Sequence, residues 1–512
     1  MSDTKSEDDT KKITRCRVTL LHLDLGIGGA ERLVVDAASQ LRERGFPVKV
    51  FTTHHDKSHC FRETLQSGSE GLRDVIEVYG DWIPRYIDVG FLTGKTSDRR
   101  FVAFCGILRM IFLSLVFIVL HVFSVWAIDD CDAHVVIMDG ISAPIPILAI
   151  FGFPVFFYCH FPDKFLSPIN TESSETASKG ISSALKRCYR DVVDILEDIS
   201  MSQASLVAVN SKFTAGVCTD CFSFLRTNYG AGRLEIIYPA VDCDSDVCED
   251  DGDEPASIVK PQKETVSTDY CDGFDDIFIS LNRYEKKKKL ELAIHSFYHL
   301  VESIKLRKRR KDPNLLLVIA GGYDPAVEEN IEYFKELVQL AKDLELSDNI
   351  VFRRSISNEE RLILLRRSTA LLYTPDREHF GIVPIEAMAL GTAVVAVASG
   401  GPLETIVHGH TGFLVSQTKE SFATAMEQLL LPDEESRTEK RADVMGRRGR
   451  LRVKEHFSKK ALGEKLQKCV LRVATQSPGI MFFTAWIVVL VMVGQGIGYI
   501  IKWVVHKLAD FL

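Results

Sequence analysis

The amino-acid sequence predicts an α/β protein with two parallel-sheet domains. Units of strand, turn and helix recur along the chain, first at residues 18–44 and again at residues 370–399. The length of 512 residues exceeds that of one compact domain and suits two domains of about 200 residues each. Between the two series, residues 242–276 are strongly acidic and lack an apolar period, which predicts a solvated linker or insertion.

Composition argues against several classes of protein. The formal net charge of −8 and the pI near 6.0 disfavour a nucleic-acid-binding surface. The 12 cysteines are scattered without a repeating pattern and no N-glycosylation sequon occurs, so the body of the chain is expected to face a reducing, cytosolic compartment. Residues 1–14 are polar and charged, which predicts a disordered tail and no cleavable signal peptide.

The first domain is expected to span residues 15–241. It opens with a strand, a turn that contains Gly28 and Gly29, and a helix that ends near residue 44. Glycines before a helix N-terminus allow a phosphate to approach the backbone, although such turns also serve structure alone. Further strands are predicted at residues 48–53, 135–138, 155–160, 207–209 and 234–239.

The strand at residues 155–160 continues into a run that contains a histidine and an aspartate. His160 and Asp163 therefore lie at the carboxyl end of a strand, where open α/β sheets bind ligands. A lone histidine at such a position is more often structural. Ser211, after the next strand, is expected to cap a helix in a purely architectural role.

Residues 101–128 are the first of two long apolar stretches. Only Arg109 and His121 are charged or titratable, and residues 110–128 are nearly as many as the roughly 20 apolar residues that cross a bilayer. The strands before and after should share one sheet, which a single crossing would divide between the two sides of a membrane. We therefore expect a partly buried helix that lies on the membrane face, with a wholly buried core helix as the alternative.

The second apolar stretch, residues 480–501, is long enough to span a bilayer and has basic residues on both flanks, which predicts a C-terminal transmembrane anchor.

Two patterns mimic metal sites, and neither is expected to bind a metal. The acidic triplet at residues 242–246 lacks the turn glycine of a calcium loop. Four cysteines form unequally spaced pairs on either side of a predicted strand, unlike the ligands of a zinc site: Cys218, Cys221, Cys243 and Cys248.

The second domain is expected to span residues 277–457. Its first strand is followed directly by Arg283 and by four lysines at residues 286–289. An arginine and a lysine at a strand's carboxyl end can clamp a diphosphate, the first as a fork and the second as a point charge. A later buried strand ends in Gly321 and Gly322.

Residues 370–404 predict a strand, a loop, a short helix and a second strand that ends in two glycines. Glu378 lies in the loop, and Glu386 lies about one turn inside the helix. The unpaired amides of residues 381–383 form an anion site at the helix N-terminus. Because a carboxylate repels phosphate, the two glutamates are better suited to hydroxyl groups, and a nucleotide sugar offers both kinds of group.

This stretch resembles the E-x7-E signature of retaining GT-B glycosyltransferases, whose fold is two Rossmann-like domains facing a cleft. The resemblance implies that Glu378 contacts the transferred sugar and that Glu386 holds the ribose. It assigns contact with the sugar and diphosphate to the backbone of the loop, at Phe380, Gly381, Ile382 and Val383.

The resemblance extends to both domains. The spacing of Arg283 and Lys288 is similar to that of the family's pyrophosphate pair, with Lys289 as an alternative to Lys288. The resemblance implies that Gly28 and Gly29 face the donor diphosphate and the acceptor, and that His160 meets the donor sugar. It implies contact with the base or ribose near Gly321 and Gly322. It also implies that the final helix, residues 458–474, crosses back to the first domain.

Four runs are similar to the dolichol-pathway α-1,3/1,6-mannosyltransferases within that family: residues 158–163, 280–285, 320–324 and 372–384. The match covers about residues 15–470 and departs in the acidic insertion, the lysine run and the C-terminal stretch. It implies that mannose passes from GDP-mannose to mannosyl-chitobiosyl-diphosphodolichol, a dolichol-linked oligosaccharide, without a metal cofactor. The linkage is first α-1,3 and then α-1,6.

The same resemblance implies an endoplasmic reticulum membrane setting with the catalytic domains facing the cytosol, and other mannosyltransferases of the pathway as partners. Two alternatives remain open. One is the same fold acting on another lipid acceptor, such as phosphatidylinositol, and the other is a non-catalytic membrane-bound scaffold.

Overall fold

The structure is a computed structural model. It describes residues 16–68, 71–88, 99–122, 131, 133–162, 181–229, 234–243, 268–306 and 314–476. These residues form two compact units. The first contains the described residues up to Val209, Ala215–Ile237 and those from Gly463 onwards, and the second contains Asn210–Thr214 and Tyr238–Leu462. The predicted tail, Asp163, most of the acidic segment and the apolar stretch 480–501 lie outside the described residues.

The first unit is built on a seven-stranded parallel sheet. Its strands are β1 (Cys16–Asp24), β2 (Val48–His54), β3 (Ile76–Val78), β6 (Ala133–Asp139), β7 (Val155–Cys159), β8 (Leu206–Val209) and β9 (Glu235–Ile236), while β4 (Ile87–Asp88) and β5 (Arg99–Arg100) form a separate antiparallel ribbon. The sheet order is β3-β2-β1-β6-β7-β8-β9. The helices that belong wholly or partly to this unit before β9 are α1 (Gly29–Glu43), α2 (Val102–Val122), α3 (Ile145–Ile150), α4 (Ile181–Met201), α5 (Lys212–Cys221) and α6 (Ser223–Tyr229).

The strands β1 and β6 are direct neighbours. They pair in parallel, with Val18 opposite Val135 and Leu21 opposite Met138. This confirms that the strands before and after the first apolar stretch belong to one sheet. The prediction of a last strand over residues 234–239 is too long, because pairing ends after the Ile237 amide donates to the Val209 carbonyl at 2.9 Å and Pro239 has no amide hydrogen to continue the ladder.

Helix α2 has one buried and one exposed apolar face. Within the described residues it is the one helix long and apolar enough to cross a membrane. However, 44% of its most apolar stretch is buried. Its inner face packs into the core of the first unit through Met110, Leu113, Phe117 and Ile118. Its outer face exposes Val102, Phe104, Leu108, Leu115 and Val119. The helix is therefore partly buried, and the alternative of a wholly buried core helix is wrong.

The second unit has a six-stranded parallel sheet. Its strands are β10 (Asp276–Leu281), β11 (Leu315–Gly321), β12 (Ile350–Arg354), β13 (Ala370–Tyr373), β14 (Ala393–Val397) and β15 (Gly412–Val415) in the order β12-β11-β10-β13-β14-β15. Its helices are α7 (Leu290–Leu306), α8 (Glu328–Asp343), α9 (Asn358–Arg367), α10 (Ile382–Ala389), α11 (Pro402–Thr405), α12 (Lys419–Leu429), α13 (Arg441–His456) and the start of α14 (Lys459–Ala474).

Both sheets have a point at which the strand order reverses. In the first unit it lies between β1 and β6, and in the second it lies between β10 and β13. The crevice outside the carboxyl ends of such strands is where open α/β sheets bind ligands. Each unit therefore offers one sheet edge that is suited to a ligand.

Candidate active site

The candidate residues of the second unit gather at the carboxyl ends of β10 and β13. Arg283 and the lysine run follow β10, and Glu378 follows β13. Because β10 and β13 pair in parallel, the two loops leave the sheet at the same edge. The fold thus brings together residues that are far apart in the sequence.

Lys288 and Glu378 form an ion pair. The Nζ atom of Lys288 donates to Oε1 of Glu378, with side chains that are 17% and 27% exposed. The adjacent Lys289 points elsewhere, and its Nζ donates to Oε1 of Gln417 at 2.7 Å. The turn is tied to the sheet because Oγ1 of Thr374 donates to the Lys288 carbonyl at 2.6 Å. This geometry favours Lys288 over Lys289 as the lysine of the candidate site.

Two glycines hold the loop that carries Glu378. A Cβ atom at Gly400 would lie 2.3 Å from the Glu378 carbonyl oxygen, and one at Gly401 would lie 2.2 Å from the Phe380 carbonyl oxygen. The Gly401 amide donates to the Glu378 carbonyl at 2.8 Å. The pair of glycines at the end of β14 is thus required by close backbone packing, and it fixes the loop in place.

Helix α10 begins directly after this loop. Gly381 is its N-cap, with a φ of 82° in the left-handed region that favours glycine. The amides of Ile382 and Val383 come first in the helix and lack intrahelical partners, so they can receive an anion. The Phe380 side chain is buried and stacks on Tyr238 at 5.7 Å between ring centroids, so only its backbone is suited to ligand contact.

Glu386, one turn into α10, is held by a residue that the sequence analysis missed. Nη1 of Arg361 on α9 donates to its Oε2 atom at 2.6 Å. Nη2 of Arg361 donates to Oδ1 of Asn358 at 2.7 Å. The carboxylate assigned to the ribose by resemblance therefore has a fixed cationic neighbour.

Tyr373 is a second missed neighbour, because its phenol hydrogen bonds Glu378 from the end of β13. Burial, followed by the charge of Glu378 and this hydrogen bond, raises the pKa of Tyr373 well above its ordinary value, so the phenol remains a donor to the carboxylate. A tyrosine that ends a strand before a loop glutamate is the signal that the sequence offered.

Arg283 and the glycines after β11 lie together. The Arg283 guanidinium is 74% exposed and lies 3.4 Å from Glu285, so it is available to a ligand. A Cβ atom at Gly321 would lie 2.0 Å from the Asn282 carbonyl oxygen, and one at Gly322 would lie 3.3 Å from Cγ of Arg283. Close packing against the Arg283 loop accounts for both glycines, and their contact with base or ribose stays a prediction.

In the first unit, the turn before α1 differs from a simple phosphate loop. Gly28 is the N-cap with extended backbone, and a Cβ atom there would lie 2.3 Å from Oε2 of Glu31. Gly29 faces open space. The Glu31 carboxylate beside the helix N-terminus disfavours an anion at Gly28 itself and leaves the space at Gly29 open. Phosphate binding at this turn stays a prediction.

His160 is part of a cluster of three side chains. Its Nε2 atom lies 3.0 Å from Oδ2 of Asp139, and the other carboxylate oxygen of Asp139 lies 2.7 Å from Nδ1 of His22. Asp139 ends β6, between the strands that carry the two histidines. The strand was predicted from the sequence but Asp139 was given no role, although its position directly after a buried run is the same signal that singled out His160.

Arg109, in the middle of α2, is buried and pairs with the carboxylate of Asp24 at the end of β1, with Nη1 at 3.0 Å. It also donates to Oγ1 of Thr53. Although burial raises the pKa of Asp24, the hydrogen bond and charge of Arg109 lower it below the ordinary value. The single charge of the apolar stretch thus anchors α2 to the sheet.

Within the described ranges, no group of three or more His, Cys, Asp or Glu side chains is arranged to hold a metal ion. Part of each metal-like pattern in the sequence, including Asp244, Asp246 and Cys248, lies outside those ranges.

Two family models match the chain. The model described as glycosyl transferases group 1 matches residues 272–451, and the one described as glycosyltransferase family 4 matches residues 27–245. Among solved structures, a sucrose-phosphate synthase from Thermosynechococcus elongatus has a TM-score of 0.58 at 18% identity, over 89% of this chain and 98% of that one. A glycosyltransferase from Rickettsia africae has a TM-score of 0.55 at 14% identity, over 91% and 100%. The fold is that of a GT-B glycosyltransferase.

Relatives of known function identify the family within this class of glycosyltransferases. The α-1,3/1,6-mannosyltransferase ALG2 of Mus musculus is 36% identical over 89% of this chain and 96% of its own length. The proteins of the same name from Saccharomyces cerevisiae and Dictyostelium discoideum are 36% and 35% identical, over 89% and 88% of this chain and 84% and 97% of their own lengths. The chain belongs to the ALG2 family of α-1,3/1,6-mannosyltransferases. It is therefore an enzyme, and the scaffold alternative is set aside.

Proposed function

We propose that the chain transfers mannose from GDP-mannose to mannosyl-chitobiosyl-diphosphodolichol, first through an α-1,3 and then through an α-1,6 linkage. The observation that carries the proposal is the similarity along nearly the whole chain to relatives named for these two linkages. The product would be a precursor of protein N-glycans, built on the cytosolic face of the endoplasmic reticulum membrane. Other mannosyltransferases of the pathway are the proposed protein partners.

The second unit would bind the donor. Arg283 and Lys288 would hold the diphosphate, helped by the amides at the start of α10. Glu378 would meet the sugar hydroxyls and Glu386 the ribose. The departing GDP gains negative charge in the transition state, so cations and amides already in place stabilise that state more than the ground state.

The Lys288–Glu378 pair suits this role. Without a donor, each charge compensates the other, so neither is left unpaired in a partly buried site. When a donor binds, Lys288 would pair with its diphosphate in place of Glu378, and the sugar hydroxyls would hydrogen bond Glu378. The pair would thus keep both side chains in place until the donor binds.

No metal is part of the proposed mechanism. Two cationic side chains and a helix N-terminus supply the positive charge that a divalent cation provides in other sugar-nucleotide enzymes. In the first unit, His160 would contact the donor sugar, as the family resemblance implies, and Gly28 and Gly29 would face the diphosphate and acceptor.

The membrane setting is proposed from two segments. The outer face of α2 is an apolar strip on the first unit, and Arg109 holds the helix against the sheet, so the strip would rest on the bilayer surface and bring a lipid-linked acceptor to that unit. Residues 480–501 would span the membrane as an anchor.

Truncation tests this topology. A chain that ends at residue 478 is expected to bind liposomes peripherally through α2, and replacing Leu108, Leu115 and Val119 by serine should release it. Full solubility of the truncated chain without those changes would show that the strip does not bind lipid, and resistance to carbonate extraction would show that α2 spans the bilayer.

The function is tested by complementation and by an assay with defined acceptors. The chain should restore growth to cells that lack the enzyme adding the second and third mannoses, and the variant Glu378→Gln should not. Purified full-length chain should extend mannosyl-chitobiosyl-diphosphodolichol with GDP-mannose by two residues. Transfer to phosphatidylinositol but not to that acceptor would replace the proposal with the alternative lipid acceptor.

A further inference from the structure

Three neighbouring strands of the first unit bring one carboxylate and two imidazoles together. Asp139 is the last residue of β6, which pairs with β1 on one side and with β7 on the other. His22 lies near the end of β1, and His160 follows the last residue of β7. The carboxylate is buried and reaches one imidazole with each of its oxygens.

The hydrogen-bond partners of His22 determine which of its ring nitrogens carry a hydrogen. Its Nδ1 atom lies 2.7 Å from the Asp139 carboxylate, and its Nε2 atom lies 3.0 Å from the Asp24 carbonyl oxygen. An ionised carboxylate and a carbonyl can only accept. Both nitrogens of His22 must therefore carry a hydrogen, which makes the ring a buried imidazolium paired with Asp139.

The charges around the cluster agree with this assignment. Burial lowers the pKa of His22, but the charge and hydrogen bond of Asp139, with a smaller contribution from Glu31, raise it above its ordinary value. Burial raises the pKa of Asp139, but the two imidazoles hold it well below its usual range. The pair is thus ionised at neutral pH.

The hydrogen bond to Asp139 likewise determines the tautomer of His160. Asp139 accepts from its Nε2 atom at 3.0 Å, so the hydrogen of a neutral ring is held there and Nδ1 carries the lone pair. The ring is 27% exposed and is flanked by Tyr158 at 4.9 Å between centroids. In this tautomer Nδ1 is the nitrogen of the ring that accepts a hydrogen bond.

We propose that Asp139 is a positioning residue that fixes the orientation and the Nε2–H tautomer of His160, and that protonated His22 holds Asp139 in place. This inference rests on the proposed function, in which His160 contacts the donor sugar. It also explains the buried charge pair. A buried carboxylate without a cation would destabilise the fold, and His22 neutralises Asp139 from β1 without blocking His160.

A purely structural role is the competing explanation. An ion pair that only joined β1 to β6 would change the stability of the first unit and leave the tautomer of His160 as it is. A positioning role affects the sugar-dependent step alone, because GDP without its sugar does not involve His160. Three variants of the full chain separate the two roles.

Asp139→Asn removes the charge but keeps the size of the side chain. His22→Asn keeps a donor at the place of Nδ1. The matched control is Asp198→Asn, since Asp198 is also buried in the first unit but caps α6 by accepting from the Phe224 and Leu225 amides, a role that asparagine also fills.

The first readout is kinetic. Asp139→Asn should lower kcat for mannosyl transfer by on the order of 100-fold, as expected for a misplaced contact, and leave the inhibition constant of GDP unchanged. His22→Asn should lie between it and the wild type, and Asp198→Asn should match the wild type. Equal losses of kcat and GDP affinity in Asp139→Asn, or full activity, would overturn the proposal.

The second readout is spectroscopic and does not depend on the donor. With ¹⁵N-labelled histidine, His160 should appear as the Nε2–H tautomer in the wild type and in Asp198→Asn, and as a mixture in Asp139→Asn. An unchanged tautomer in Asp139→Asn would refute the positioning role. If the wild type does not use GDP-mannose, the proposed function fails, while this readout still decides the role of Asp139.

Discussion

Each unit has a carboxylate–cation pair at the carboxyl edge of its sheet, but the two pairs are built differently. Glu378 and Lys288 lie on loops and are partly exposed. Asp139 and His22 lie on adjacent strands and are 5% and 9% exposed. A pair on exposed loops can exchange partners when a ligand arrives, whereas a buried pair on strands holds one geometry. The contrast separates groups that bind substrate from groups that position them.

The largest effect should come from breaking the buried pair. Asp139→Leu leaves the His22 imidazolium unpaired, which should destabilise the first unit by about 3–5 kcal/mol. Native-state hydrogen exchange of amides in β1 and β6 measures this free energy in the full chain. Glu77→Ala, which breaks the more exposed pair with Lys49 in the same sheet, should cost only about 0–1 kcal/mol. Equal costs would remove the distinction between the pairs.

Much of this arrangement was predictable from local patterns. The helix at residues 382–390 and the strand at 370–373 are observed as Ile382–Ala389 and Ala370–Tyr373, because apolar periods and glycines fix them locally. Asp139 and Arg361 were missed, because their partners come from other elements: Asp139 meets histidines of the neighbouring strands, and Arg361 of α9 meets Glu386 of α10. A sequence contains no direct record of such distant pairings.

The next effect concerns the exposed pair, Lys288 and Glu378. Lys288→Ala should impair GDP-mannose use by roughly ten- to a hundredfold, because a lost charge-assisted contact costs about 1.5–3 kcal/mol. Arg283→Ala should have a similar effect. Lys289→Ala is the control, since its ammonium contacts Gln417. Steady-state kinetics with GDP-mannose provides the measurement, and a silent Lys288→Ala beside an impaired Lys289→Ala would show that the lysine is wrongly assigned.

The buried pair also predicts a pH dependence of the free energy of unfolding. The pKa of His22 is raised in the fold, so its contribution to stability is fully present below about pH 6.5 and is lost as pH rises through the raised pKa. The loss amounts to at most about 1.4 kcal/mol for each pH unit in that window. Asp139, whose pKa is lowered, contributes its full stability above about pH 3.9 and loses it only in more acidic solution.

Unfolding free energies between about pH 6 and 9 should therefore fall more steeply for the wild type than for His22→Asn. Identical slopes in the two proteins would mean that His22 is not the protonated partner.

The smallest effect concerns the neighbour of Glu386. Arg361→Ala should raise KM for GDP-mannose about fivefold with little change in kcat, since it frees a carboxylate that only binds the ribose and one hydrogen bond is worth about 1 kcal/mol. Arg366→Ala on the same helix, at an exposed position, is the control. A loss confined to kcat would place Arg361 in the chemical step instead.

Mannosyl transfer in the presence of a chelator is the most direct test of a donor site made of protein cations and helix amides. Full-length chain, GDP-mannose and mannosyl-chitobiosyl-diphosphodolichol are incubated with and without EDTA, and the products are separated by the number of mannoses added. Each of the two mannoses should be added at the same rate with EDTA as without it. Loss of transfer in EDTA that manganese or magnesium restores would contradict the proposed mechanism.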